Sequence, residues 1–355
     1  MTSHRHIAGA SRRAVLGLAA LLAVLACVSG LPLAHPARAQ TATPDPLSSW
    51  NDGPTKQAII DFVRVTTDPA SPDFVAPEDR IATFDLDGTL WVEQPLYTQV
   101  VYAFDRVPAL VKAQPELAGR EPFKTVLSGD RAAIAKLPSK EIETILAATL
   151  TGMTVEALRA ETNKWLETAQ DARWKRLYTE LAYQPMQDLI NYLRARGYRT
   201  YIVTGSNQDF VRVFAERVYG IPPEQVIGSA NATQYRYGAD GKPVLTLAPK
   251  LLLNDNFSGK PEDIYLIVGR RPFAAFGNST GDRQMLEYAK TGHGARLAMI
   301  ALHDDGEREY AYGPALGLPD TRVGYFPQPL YDEAKKQGWI VISIKNDWKR
   351  VFAFE

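Results

Sequence analysis

Hydrophobic residues recur with two different periods along this chain, and the change in period divides the chain into a helical block and a region of mixed strands and helices. Between residues 93 and 186 they recur at helical spacing without any strand-like run, which predicts four or five helices and no sheet. Beyond that block, short β-prone runs alternate with helical stretches, a pattern typical of a parallel sheet flanked by helices. We therefore predict an α/β fold: a doubly wound (Rossmann-like) parallel sheet core, residues 80–92 and 187–355, with an inserted α-helical cap domain, residues 93–186.

The individual elements of the predicted core can be read from the same pattern. A turn-rich segment, Gly238-Ala239-Asp240-Gly241, separates two β-prone runs and predicts a hairpin over residues 230–247. The expected helices are residues 55–67, 186–196, 208–219, 261–268 and 282–290. The expected strands are residues 81–84, 199–203, 272–276, 295–302 and 338–345.

The first 39 residues have the order of a secretory signal peptide. Basic residues precede an apolar run, residues 14–28, which is shorter than the roughly 20 residues that a membrane span needs. A small-x-small site, Ala37-Arg38-Ala39, follows and predicts cleavage before Gln40. Arg12-Arg13 resembles a twin-arginine export signal, although the pair also suits ordinary signal-peptide charges, and an uncleaved anchor is the alternative. We expect a periplasmic or secreted protein with no stable membrane anchor after cleavage.

Cysteine content and charge narrow the classes of function. The only cysteine, Cys27, lies in the predicted signal peptide, so the exported chain would have no disulfide, cysteine metal site or cysteine nucleophile. Lys+Arg and Asp+Glu are 40 each, and this balance argues against a dedicated nucleic-acid binder. No protein partner is evident. Residues 40–79 are expected to form a leader, flexible to residue 54, followed by an N-terminal helix.

Two aspartates directly after the first β-prone run are the strongest chemical signal. In an extended chain, residues two apart point the same way, so Asp85 and Asp87 face one spot while Leu86 enters the core. Gly88 lets the chain turn there, at the end of the sheet where α/β proteins bind ligands. Two neighbouring carboxylates need a cation or a shared proton. A solvated Asp-Gly turn is the alternative; a calcium loop does not fit the position of Gly88.

Three further polar clusters lie at predicted element boundaries. Thr204-Gly205-Ser206 follows a strand and suits a phosphate, or else supplies a helix cap. Lys260 precedes a helix in Ser258-Gly259-Lys260-Pro261, where a solvated surface lysine is the alternative. Asn278 and Asp282 lie in a Gly-rich loop between a strand and a helix, which also suits an ordinary polar loop.

Together these motifs resemble the haloacid dehalogenase (HAD) superfamily. Residues 84–90, Phe-Asp-Leu-Asp-Gly-Thr-Leu, look like its first motif, and Thr204 with Gly205, Lys260, and Gly277-Asn278-x3-Asp282 look like the next three, in order. The resemblance spans roughly residues 81–302. The helical insertion and the hairpin resemble the phosphoserine-phosphatase-like branch. The second aspartate, which dehalogenases of this superfamily lack, favours a phosphatase.

The resemblance implies a set of roles. Asp85 would be the nucleophile that forms an aspartyl-phosphate, and Asp87 the general acid and base. Thr204 and Gly205, with Ser206 beside them, would bind the phosphoryl group, and Lys260 would offset its charge. The implied cofactor is Mg²⁺, held by Asp85, Asp87, and Asn278 or Asp282. The implied substrate is a small-molecule phosphate ester admitted by the cap, and acceptors other than water stay open.

Three points qualify the resemblance. Asn278 stands where the family often has aspartate, so we expect weaker metal binding or a larger share for Asp282. Trp91 and Glu93 follow the first motif closely and are expected to line the substrate site at the cap, or else to be a packing indole and a surface acid. Residues 277–281 also spell G-x-S-x-G, so a serine esterase using Ser279 is an alternative, as is a non-catalytic phosphate-ester binding protein.

Overall fold

Seven strands form one sheet in the computed structural model, which describes residues 45–355. The strands are β1 (Ile81–Phe84), β2 (Arg199–Asn207), β3 (Val226–Tyr237), β4 (Pro243–Leu253), β5 (Ala274–Gly277), β6 (Leu297–Leu302) and β7 (Ile340–Ser343). Their order is β4-β3-β2-β1-β5-β6-β7, and every pair is parallel except the β3–β4 hairpin. The predicted α/β fold with a mostly parallel sheet is confirmed.

The central strands are buried because helices cover both faces of the sheet. All residues of β1, β5 and β6 are buried, as parallel sheets require. Side chains alternate between two core clusters: Phe84 packs on one face with Phe276, at 4.5 Å between ring centroids, and Ile81 and Ala275 belong to the other. If the alternation continues past the end of a strand, it also decides on which side of the sheet the next side chains lie.

Thirteen α-helices accompany the sheet in residues 45–355. Those of the inserted block and before it are α1 (Pro54–Thr67), α2 (Thr98–Ala113), α3 (Phe123–Leu127), α4 (Arg131–Ala135), α5 (Ser139–Leu150) and α6 (Val155–Leu166). Those of the core are α7 (Gln184–Ala195), α8 (Gln208–Val211), α9 (Ala215–Tyr219), α10 (Gly259–Val268), α11 (Arg283–Lys290), α12 (Gln328–Lys336) and α13 (Ile344–Asp347). The block between β1 and α7 contains five α-helices and no sheet strand, as predicted. It has an apolar cluster of its own around Val107 and Ile145.

Several predicted boundaries differ from the structure. The expected helix 208–219 is two short helices, α8 and α9, because Phe214 leaves helical geometry at φ −122°. The strand expected to end at residue 203 continues to Asn207, past a register shift against β3. The strand expected over 338–345 is shorter, since the chain turns into α13 at Ile344. The cap and core boundaries remain predictions.

The segment before α1 is not the flexible leader we expected up to residue 54. Trp50 is 2% exposed, its indole N–H donates to the Pro185 carbonyl at 2.8 Å, and its ring packs edge-on against Trp348. An apolar side chain of this size is stabilised by burial, and Leu47 beside it is also buried. The prediction was wrong for residues 45–53 because polar composition concealed these two anchors.

The predicted signal peptide, with Cys27, and residues 40–44 lie outside the described residues. Within residues 45–355, none of the helices combines the length and the hydropathy that crossing a membrane would take.

Candidate active site

The candidate residues converge at the carboxyl ends of three adjacent strands. β1 lies between β2 and β5, and the Asp85 N–H donates to the Phe276 carbonyl at 2.9 Å, which continues the parallel ladder one residue past β1. Thr204 lies near the end of β2, and Asn278 follows β5. Because the three strands run in the same direction, motifs far apart in sequence meet at one edge of the sheet.

Lys260 joins two of the predicted motifs. Its ammonium group donates to Asp85 Oδ1 at 2.6 Å and to the Val203 carbonyl at 2.7 Å, and forms an ion pair with Asp282 Oδ1 at 2.8 Å. The side chain is 1% exposed. Burial by itself would lower the pKa of Lys260, but Asp282 and Asp85 raise the pKa above its usual range. The alternative of a solvated surface lysine is therefore wrong.

The first turn of α10 explains why Lys260 reaches the site. We expected the lysine before the helix; it lies inside, because α10 begins at Gly259. A Cβ on Gly259 would lie 1.9 Å from the Asn254 carbonyl oxygen, so only glycine permits this close approach. Pro261 is tolerated because first-turn N–H groups have no partner inside the helix.

Asp87 has different partners from Asp85. The Trp91 indole N–H donates to Asp87 Oδ1 at 2.8 Å, and the Ser206 hydroxyl donates to Oδ2 at 2.7 Å. Burial raises the pKa of Asp87, while the bonds from Ser206 and Trp91 oppose that rise. Trp91 is fully buried and stacks on Phe214, and its indole holds the Asp87 carboxylate. The substrate contact expected of Trp91 stays a prediction.

Asn278 is held at both ends of its amide. Its Nδ2 group donates to Glu93 Oε1 at 2.6 Å, while its Oδ1 lies 3.4 Å from the Thr89 hydroxyl. The same hydroxyl lies 3.2 Å from Asp85 Oδ2. The Asn278 amide oxygen therefore lies on the side of the Asp85 carboxylate, with the Thr89 hydroxyl near both. Glu93 is 2% exposed and its carboxylate faces Asn278, so the alternative of a surface acid is wrong. The place of Glu93 in the substrate site at the cap stays a prediction.

Asp282 organises the loop after β5. Its Oδ2 accepts the main-chain N–H groups of Asn278 and Ser279, both at 3.0 Å, and its Oδ1 bonds Lys260. Both oxygens are thus engaged, so Asn278 is better placed than Asp282 to offer an oxygen to a metal. The larger share that we expected for Asp282 does not agree with this arrangement.

The segment after Val203 forms the other wall. Thr204 is 1% exposed, and its Oγ1 accepts the Ser206 N–H at 3.1 Å. Asn207, not Ser206, caps α8 by accepting the N–H groups of its first turn. At Gly205, a Cβ would lie 2.6 Å from the amide of Asn256. Asn256 is therefore a neighbour of this wall that sequence reasoning missed.

A buried histidine supports the turn after Asp87. His303 Nε2 lies 2.7 Å from the Gly88 carbonyl oxygen and Nδ1 lies 2.9 Å from Glu309 Oε2. Because a carbonyl only accepts, Nε2 carries a hydrogen. Tyr312 stacks on the ring at 4.2 Å. Sequence reasoning missed this contact, because no local pattern links His303 to the first motif.

The arrangement does not form an esterase triad around Ser279. The Ser279 hydroxyl lies 3.3 Å from Asp282 Oδ2 and accepts the Gly281 N–H, which is a capping role. Of the two histidines in the described chain, His303 is engaged as above and His293 lies exposed after α11. No imidazole is thus bonded to this hydroxyl, and the elbow lacks its general base.

The site holds more buried acid than buried base. The carboxyl groups of Asp85, Asp87, Glu93 and Asp282 are all buried, with Lys260 as their buried cation. Burial raises the pKa of Asp85, and Asp282 raises it further, while Lys260 opposes the rise. Burial also raises the pKa of Glu93 well above its usual range. A site of this composition favours an additional cation.

Comparison with known families agrees with this geometry. The family described as haloacid dehalogenase-like hydrolase matches residues 82–287, more than half of the chain. The chain belongs to this family. The match includes all four motifs identified above, so the predicted family is confirmed, and the chain is a HAD-type hydrolase. None of the curated proteins compared with the chain matches it.

Solved structures resemble the HAD chain at low identity. A protein described as functionally unknown from Anaerococcus prevotii is 14% identical, with a TM-score of 0.48 over 71% of this chain and 86% of that one. A protein of unknown function from Bordetella pertussis is 18% identical, with a TM-score of 0.44 over 74% and 97%. A phosphoserine phosphohydrolase-like protein from Francisella tularensis is 16% identical, with a TM-score of 0.33 over 63% and 88%. These scores carry no argument about substrate.

Proposed function

We propose that this HAD protein is an exported phosphatase that hydrolyses a small organic phosphate monoester through an aspartyl-phosphate. The observation that carries the proposal is the difference between two carboxylates two residues apart. Asp85 is paired with Lys260, whereas Asp87 is held by neutral donors, Trp91 and Ser206. A nucleophile and a proton carrier require such different surroundings.

In the first half-reaction, a carboxylate oxygen of Asp85 attacks phosphorus. The new O–P bond forms as the bond from phosphorus to the ester oxygen breaks, and the Asp87 carboxyl group gives its proton to the departing alkoxide. Trp91 and Ser206 fix the Asp87 carboxyl group for this transfer. The products are the alcohol and an acyl phosphate on Asp85.

In the second half-reaction, water attacks the phosphorus of the acyl phosphate. Asp87, now ionised, takes a proton from the attacking water, the bond between phosphorus and the Asp85 oxygen breaks, and inorganic phosphate leaves. Both carboxyl groups return to their starting state, so the cycle balances.

Binding of the phosphoryl group is assigned to the end of β2 and to Lys260. The Thr204 hydroxyl and the Gly205 N–H are donors at that strand end, and the ammonium of Lys260 already lies 2.6 Å from the Asp85 oxygen. A cation at that distance stabilises negative charge that develops on the transferring group.

The oxygen donors of the site fit Mg²⁺. Within residues 45–355, no three His, Cys, Asp or Glu side chains form a ready metal group. The ligands we propose are instead the Asp85 carboxylate and the Asn278 amide oxygen, which both lie near the Thr89 hydroxyl, and the Asp87 main-chain carbonyl, which the family resemblance implies; all are hard oxygen ligands. When bound, the ion would neutralise charge on the phosphoryl oxygens. Asn278 brings no charge, so we propose moderate rather than tight binding.

The helical block supports a small substrate rather than a protein or a nucleic acid. Its five helices follow the first motif, and caps of this kind exclude water and large substrates. A non-catalytic phosphate-ester binding protein is the remaining alternative. The neutral donors that hold Asp87 favour turnover, because a binding site gains nothing from positioning a carboxyl group for proton transfer.

The test is phosphate release from an aryl phosphate by the chain from Gln40 onward, with Mg²⁺ and with chelator. The variant is Asp85→Asn, and the matched control is Asp320→Asn, at an exposed aspartate. We expect release that depends on Mg²⁺, is retained in the control and is lost in Asp85→Asn. Beryllofluoride, a mimic of the acyl phosphate, should bind the wild-type chain and the Asp320→Asn control but not Asp85→Asn.

Two results would count against the proposal. Phosphate release that persists in Asp85→Asn would show that Asp85 is not the nucleophile. Beryllofluoride binding without turnover of any ester in a panel of small phosphates would support the binding protein instead.

A further inference from the structure

We propose that Glu93 is a positioning residue that turns the Asn278 amide so that its oxygen, and not its NH₂ group, faces the magnesium position. The inference rests on the proposed function, because it takes Asn278 as a ligand. It assigns to Glu93 a role that differs from the substrate contact expected from sequence.

The contact between the two side chains is direct and buried. Asn278 Nδ2 lies 2.6 Å from Glu93 Oε1, and the two residues are 1% and 2% exposed. The opposite end of the amide, Oδ1, lies on the side of Thr89 and Asp85. Glu93 and Asp85 thus lie on opposite sides of one amide group.

An amide, unlike a carboxylate, has two unlike ends. With Glu93 ionised, rotating Asn278 by half a turn would put its NH₂ group toward Asp85 and its oxygen against a carboxylate oxygen of Glu93, which is an acceptor–acceptor contact. A buried contact of that kind costs the hydrogen bonds of both groups. With aspartate at position 278 the two ends would be equivalent, and no such orientation would be needed. The asparagine therefore requires a partner of the kind that Glu93 supplies.

Two glycines make room for this pair. A Cβ on Gly88, at φ +78°, would lie 2.0 Å from Asn278 Nδ2 and 2.3 Å from Glu93 Oε1. A Cβ on Gly324, at φ +66°, would lie 2.1 Å from Glu93 Oε1 and 2.3 Å from a ring carbon of Tyr312. The main chain thus approaches the Glu93 carboxylate closely from two sides, and its position is tightly defined.

The first test compares two substitutions of Glu93 by calorimetric titration of Mg²⁺ into the chain from Gln40 onward. Glu93→Met removes the acceptor at similar side-chain length, and we expect the Kd for Mg²⁺ to rise by about tenfold or more, the size of effect seen for residues that orient metal ligands. Glu93→Gln keeps an oxygen that can accept from Asn278, so a clearly smaller loss is expected. Unfolding curves without metal check that both variants fold.

A second test moves Glu93 without replacing it. Gly324→Ala places a methyl group against Glu93, and the matched control is Gly317→Ala, where φ is +79° and nothing lies within 4 Å of the added Cβ. Both variants bear the same left-handed backbone strain. We expect weaker Mg²⁺ binding in Gly324→Ala alone.

The outcomes separate this inference from the proposed function. Wild-type Mg²⁺ binding with equal losses in Glu93→Met and Glu93→Gln would overturn the positioning role and leave the phosphatase standing. An unchanged Kd in Glu93→Met would do the same. If wild type binds no Mg²⁺ by calorimetry and its turnover ignores chelator, the magnesium assignment itself fails, and this inference with it.

Discussion

Lys260 and Lys56 each form two ion pairs of the same lengths, but in different surroundings. We therefore expect their substitution to lower the free energy of unfolding by very different amounts. Lys260 lies 2.6 Å from Asp85 and 2.8 Å from Asp282; Lys56 lies 2.6 Å from Asp45 and 2.8 Å from Asp52. The partners of Lys260 are 9% and 1% exposed, whereas those of Lys56 are 46% and 97% exposed. Burial of the partners is the main variable.

We expect Lys260→Met to destabilise the apo protein by about 3–5 kcal/mol, because it leaves buried carboxylates without their cation. Lys56→Met should cost about 0–1 kcal/mol, because water solvates the released aspartates. The assay is urea unfolding of both variants and wild type at pH 8 and at pH 5.

The pH dependence supplies a second check. The pKa of Asp85 is raised by burial and by Asp282, and loss of Lys260 raises it further. An acid with a raised folded-state pKa destabilises the fold above its unfolded pKa, and the penalty falls as the pH drops through the folded pKa. The deficit of Lys260→Met should therefore shrink at pH 5. Equal costs for the two lysines at pH 8, or a deficit that does not change with pH, would refute this reasoning.

Two further predictions concern Asp87 and Ser279. Trp91→Phe removes one hydrogen bond to the Asp87 carboxylate but keeps an aromatic ring against Phe214. A bond of this kind is worth about 1.5–3 kcal/mol, so kcat for an aryl phosphate should fall about 10- to 150-fold with little change in Tm. An unchanged kcat would show that Trp91 does not position the acid. Ser279→Ala should leave phosphate release nearly intact and cost about 1 kcal/mol of stability, measured by urea unfolding, as loss of a helix cap does. Loss of all hydrolysis in Ser279→Ala would favour the serine esterase over the phosphatase.

Much of the core could be predicted from local pattern. Short β-prone runs that alternate with helical stretches identified β1, β5 and β6 as strands of a parallel sheet. The alternation of side chains placed Leu86 in the core, with Asp85 and Asp87 at the ligand end. Predictions failed where local composition conflicts with distant packing. Trp50 lies in a polar stretch, and only its partner Trp348, almost 300 positions later, shows that the stretch is fixed.

Local sequence was enough to predict most of the helices and strands, because hydrophobic periodicity and turn-forming residues act over only a few neighbouring positions. It also determined that oxygen-bearing residues follow the strands, since their spacing from each strand end is local. Which of these residues contact one another depends on how the strands and helices are arranged in three dimensions. Strand order brings Lys260 to Asp85 across 175 positions, and Asn278 to Glu93 across 185. In the proposed mechanism, those pairings decide which oxygen faces the metal and which carboxyl group carries a proton, because hydrogen bonds and charge act over a few ångströms in space.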